Sequence, residues 1–131
     1  MSHAIETLVS KSWFGFLART VLTFMFWGSG LSKLADFGAA KAEMIHFGLE
    51  PAGLFAVAVA ATQLIGSGLV IANRWTWLGA GALGVFTALT IPIAHDFWNM
   101  EEPFRTLEFY VVTEHVSMIG ALMVVAWKSA R

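Results

Sequence analysis

Glu114 and His115 stand side by side in a stretch, 107–127, that otherwise reads mostly Leu, Phe, Tyr, Val, Ile, Met and Ala. A carboxyl and an imidazole in apolar surroundings can pass protons near neutral pH, so both are candidates for proton handling. His95 is a third, because Asp96 follows it and a carboxylate that holds one ring nitrogen fixes the tautomer of a proton shuttle or metal ligand. Adjacent helical residues point about 100° apart, so of Glu114 and His115 one faces the bundle centre and the other a neighbouring helix. Arg19 and Gln63 complete the set. At 1.5 Å per residue Arg19, Gln63, Glu114 and His115 fall at staggered depths, with the Gln63 amide placed to bridge Arg19 and Glu114, which predicts a connected polar ladder. The plainer alternatives are that Arg19 snorkels to the interface and Gln63 only glues helices together. A haem held by His95 and His115 is disfavoured, since their predicted heights differ by about 10 Å. No close His/Glu spacing supports a metal site.

The elements that must position these groups are membrane spans. Of 131 residues 57% are hydrophobic and 13% charged, the net charge is −1, and mean hydropathy is +0.69. No Asp, Glu, Lys or Arg occurs between Pro51 and Asn73 or between Trp75 and Ala94. Four spans are predicted, 13–34, 53–72, 75–94 and 107–127, each close to the ~20 residues that a bilayer core demands. Bare backbone groups are not tolerated in lipid, so each is a helix, and the fold is an all-α up-and-down four-helix membrane bundle in a single domain. Trp13, Trp75, Trp77 and Trp127 then share one face and Trp98 takes the other, as interfacial rings should. Periodicity adds two amphipathic helices lying in the interface, one with Ile5, Leu8, Val9 and Trp13 and one with Phe37, Ala40, Met44 and Phe47, the second covering the bundle mouth. Pro92 falls near the end of the third span, where it can kink the helix. Small residues every fourth position, Ala58/Thr62/Gly66 and Ala80/Gly84/Ala88, predict packing faces.

Charge composition excludes nucleic acid as a partner, because there is no basic surface. With no cysteine, disulfide exchange and thiolate chemistry are excluded, and any redox role needs a cofactor or a partner subunit. Residues 1–12 lack the pattern of a cleavable signal, so the first span is expected to be an uncleaved anchor. Lys11, Arg74, Lys128 and Arg131 on the face with both termini, against Lys33, Lys41 and Arg105, place the termini in the cytoplasm.

Arg19, the segment GLSKL at 30–34, IAHDFWNM at 93–100 and VSMIG at 116–120 recur in an order and spacing that resemble the DoxX family of small bacterial inner-membrane proteins. The resemblance implies a four-helix fold and a link to membrane redox chemistry, through a quinone-reducing subunit in one branch and a partner of oxidative-stress enzymes in another. Relatives commonly carry an acid where Gln63 stands and Lys-Asn where Glu114-His115 stand. An acid facing a base is thus replaced by an amide facing an acid. The leading expectation is a membrane subunit of a quinone-linked redox system. Glu114, His115 and His95 handle protons, Gln63 and Arg19 supply polar contacts, and Phe97, Trp98 and Phe104 wall a lipid-quinone slot near the outer face. A small transporter or channel subunit and a non-catalytic scaffold are the rivals. For all three, four helices enclose little space, so a homo-oligomer or a larger membrane complex is expected.

Overall fold

Thr23 divides the first predicted span. In the computed structural model, which describes residues 2–131, α1 (His3–Val9) leads into α2 (Ser12–Leu22), and α2 meets α3 (Phe24–Ala35) at a bend of 57°. The Thr23 hydroxyl donates to the Arg19 carbonyl at 2.7 Å, and the Thr20 carbonyl accepts from Trp27 Nε1 at 3.0 Å. Side-chain donors that take helix carbonyls compete with the backbone ladder and bend it. The expected straight helix over 13–34 is therefore two helices, and α3 swings across the bundle.

Asp36 caps α4 (Phe37–His46) by accepting from Ala39 N–H at 3.0 Å, and this helix packs its Ala40 and Met44 against Ala52 and Ala56 of α5 (Ala52–Ala72). Asn73 and Trp75, at φ 56° and 47°, turn the chain directly into α6 (Thr76–Ala94). The Thr76 hydroxyl donates to Asn73 Oδ1 at 3.0 Å and ties the hairpin. A 3₁₀ turn, Phe97–Asn99, then precedes α7 (Phe104–Ser129). The helices α5, α6 with the following turn, and α7 are each long and apolar enough to cross a membrane, and the bent pair α2–α3 makes a fourth crossing if counted as one span. All regular structure among the described residues is helical.

The core gathers Phe26 of α3, Val70 of α5, Ala80 and Leu83 of α6 and Leu122 of α7. Lipid offers helices no hydrophobic drive to associate, so close backbone approach decides where they cross. At the α5/α6 crossing a Cβ on Gly79 would lie 2.7 Å from the Gly66 carbonyl oxygen. On the other side of α5, a Cβ on Gly30 would meet Leu64 at 2.7 Å, which is how close α3 comes to the Gln63 turn. The predicted small-residue faces are shifted accordingly. Gly66 is buried, but Ala58 and Ala88 are exposed and Gly84 faces open space, whereas α5 buries Ala52, Ala56, Ala60, Gln63 and Val70.

Candidate functional site

The bend at Thr23 and the crossing at Gly30 bring α3 against α4, α5 and α6 around a cavity of about 380 Å³. Its walls are apolar, with Met25, Phe26, Phe47, Phe55 and Phe86 among them. Polar side chains also line it, among them Ser29, Lys33, Gln63, His95 and His115. Lys33 is only 8% exposed, and its Nζ donates to Ser29 Oγ at 2.7 Å. Gln63 is 5% exposed, and its Oε1 has no hydrogen-bond partner. Glu43 lines the chamber from α4 but lies beyond ion-pair distance of Lys33. A buried cation and a buried amide are thus turned into an apolar chamber with one protein partner, Ser29, between them. Such groups cost several kcal/mol unless something bonds to them.

At the far end of the chamber the rings of His95 and His115 stand edge to face, 4.7 Å between centroids. Their predicted difference in height is corrected. The first turns of α7 extend beyond the end of α6 and pack on the 3₁₀ turn, so His115 draws level with His95. His95 Nδ1 donates to Glu108 Oε2 at 2.6 Å, the only contact within ion-pair distance among the described residues. Glu108 therefore takes the place expected for Asp96, whose carboxylate accepts from Asn99 instead. With Nδ1 held, Nε2 is the nitrogen left to meet a ligand. Glu108 is itself partly exposed, so carboxylate and imidazole connect the chamber to the loop face.

Three of the predicted site residues, Gln63, His95 and His115, share this cavity. Five do not. Glu114 points away from it and is exposed, because α7 turns His115 inward and the neighbouring position lies about 100° round the helix. Arg19 folds back along α2, where a Cβ on Gly15 would sit 3.0 Å from Nη1, and its Nε donates to the Ile71 carbonyl at 3.4 Å. The polar ladder is therefore absent: nothing links Arg19 or Glu114 to Gln63. Phe97 packs edge-on against Trp98 and Phe109 outside the chamber, and Trp98 and Phe104 are exposed. The aromatic walls come from α3, α4, α5 and α6 instead. Sequence reasoning missed Lys33 and Ser29. The available signal was their spacing of four, which stacks Lys33 of GLSKL and Ser29 just before that segment on one helix face. With Asp96 bonded to Asn99 and Glu114 turned outward, no group of three His, Asp or Glu among the described residues converges on a point that could hold a metal ion.

A family model described as DoxX matches residues 14–96, well over half the chain. The chain belongs to the DoxX family. The match spans α2 to α6 and so includes Lys33, Gln63 and His95, while α7, with His115, Glu108 and the VSMIG segment, lies outside it. Comparison with curated proteins and with solved structures finds no match. Family and apolar helices together make this DoxX protein a multi-pass membrane protein in contact with the bilayer.

Proposed function

We propose that the cavity holds the head of a lipid quinone and that the protein is the membrane subunit of a quinone-linked redox system. The observation that carries this reading is the pair Lys33 and Gln63, buried in an aromatic chamber with donor and acceptor capacity unspent. A quinone is a flat apolar ring with oxygens at opposite edges. One oxygen suits the Lys33 ammonium, and the Gln63 amide can donate to a carbonyl or accept from a hydroxyl, so it serves both oxidation states. His95 and His115 stand where protons are exchanged, and Glu108 orients His95 and opens toward the surface. Reduction takes up two electrons and two protons. A chain without cysteine offers no thiol route, so in this reading a partner subunit supplies the electrons.

Mass spectrometry of lipids extracted from the purified protein tests the reading. Wild type is expected to retain a lipid quinone and Gln63→Leu to lose most of it. Absence of quinone, with solute flux in proteoliposomes, would favour the transporter reading instead. Glu108→Gln is expected to leave quinone retention unchanged but to slow dithionite reduction of the bound quinone about a hundredfold, the size of a lost general acid. An unchanged rate removes the pair from proton handling.

The outward face of α7 supports association with a further chain. Tyr110, Thr113, Glu114 and Ser117 share one exposed stripe of this helix, and polar groups facing lipid are costly. Because the chain has no cysteine, Ser117→Cys is a clean reporter. It is expected to form a disulfide-linked dimer in membranes, while Val57→Cys on α5 stays monomeric. In this reading the protein sits in the bacterial inner membrane with both termini cytoplasmic, which a phosphatase reporter fused after Arg131 checks by staying inactive.

A further inference from the structure

The opposite end of the bundle, where α2 begins and α7 ends, has a second cavity of about 700 Å³, and its chemistry is unlike that of the first. Three of the eight Lys and Arg residues of the chain line it, Arg19, Lys128 and Arg131. None of the nine Asp and Glu residues does. No carboxylate lies within ion-pair distance of any of the three cations among the described residues. Arg131 stacks on Trp127 at 4.6 Å, and Arg19 spends only its Nε on a backbone carbonyl, which leaves the guanidinium forks free. Three like charges brought to one cavity repel each other, and an anion between them removes that cost.

We propose that this cavity binds the phosphate of an anionic membrane lipid. Guanidinium and ammonium groups recognise phosphate through charge-assisted hydrogen bonds, and Arg19, Lys128 and Arg131 bring these donors to the cavity. Trp75 and Trp77 form part of the wall, which sets its depth at the headgroup level where tryptophan settles. Val124 and Val125 continue the wall along α7 toward the membrane interior, an apolar track for the acyl chain of a lipid and of no use to free phosphate. Basic pockets between transmembrane helices have this form when they bind anionic headgroups. The Arg19 side chain, not needed by the quinone cavity, has its role here.

Native mass spectrometry tests the site on the intact protein in neutral-detergent micelles supplied with phosphatidylglycerol or phosphatidylcholine. Wild type is expected to retain phosphatidylglycerol in preference. Lys128→Gln with Arg131→Gln is expected to cut that retention about 25-fold, at about fivefold per charge, with an unchanged thermal midpoint. Lys41→Gln, which removes one positive charge at the other end of the bundle, is expected to change nothing. Equal retention of both lipids, or an equal loss with Lys41→Gln, would overturn the site. Inorganic phosphate displacing phosphatidylglycerol at equal concentration would overturn the lipid as its ligand.

Discussion

Replacing Lys33 with Met is expected to leave the thermal midpoint of the detergent-solubilised protein unchanged or higher, while weakening quinone retention about tenfold to a hundredfold. The two effects run in opposite directions for one reason. In the empty chamber Lys33 is a desolvated cation with one neutral partner, Ser29, and an apolar side chain of similar length removes that cost. In the occupied chamber the same ammonium makes a charge-assisted hydrogen bond, worth about 1.5 to 3 kcal/mol. Differential scanning fluorimetry and quantitative lipid extraction on the same preparation separate the two. A lower midpoint with unchanged retention would make Lys33 a structural residue.

The second large effect is expected at the α5/α6 crossing. Gly79→Ala drives a methyl to 2.7 Å from the Gly66 carbonyl oxygen and 2.8 Å from Leu69 Cβ, and the first of these is backbone that cannot rotate away. Overpacking of this kind costs about 1 to 3 kcal/mol, so a clear drop in thermal midpoint is expected. Gly84→Ala, five residues along the same helix, meets nothing within 4 Å and is expected to be neutral or to gain from better helix propensity. Equal behaviour of the two variants would mean that the helices do not cross at Gly66 and Gly79.

Those two glycines also illustrate what a linear reading can see. Charge-free runs mark α5 and α6 to within a residue or two, because lipid forbids charge and demands a fixed length. A spacing of four between small residues is weaker evidence, since a helix has several such rows and only the neighbour decides which is used. Ala80, Gly84 and Ala88 match the pattern, yet only Ala80 of that row is buried, while the close approach is made by Gly79, which has Leu83 and not a small residue four positions on.

Thr23 accounts for the largest miss at the site. Nothing in the apolar run 13–34 announces a bend, because a threonine that bonds back to Arg19 differs from an ordinary membrane threonine only in geometry. A straight helix puts Lys33 at the interface as one more topology charge. The bend carries it into the core instead. His95 and Gln63 were legible because polar groups in apolar stretches stand out. Their partners were not: Glu108 reaches His95 across thirteen residues through a loop whose path sequence does not fix. Glu114 was misplaced for a simpler reason. Of two adjacent polar residues on one helix, only the packing against α6 chooses which turns inward, and it chose His115.

Labelling with a photoreactive azidoquinone, followed by mapping of the modified peptides, tests the central claim most directly. If the chamber is the quinone site, the label falls on residues that line it, in 25–33, 43–63 and 86–95, is displaced by excess unlabelled quinone, and is lost in Lys33→Met. Label confined to the lipid-facing surfaces of α5 and α7, or undiminished by competitor and by the Lys33 substitution, would contradict it.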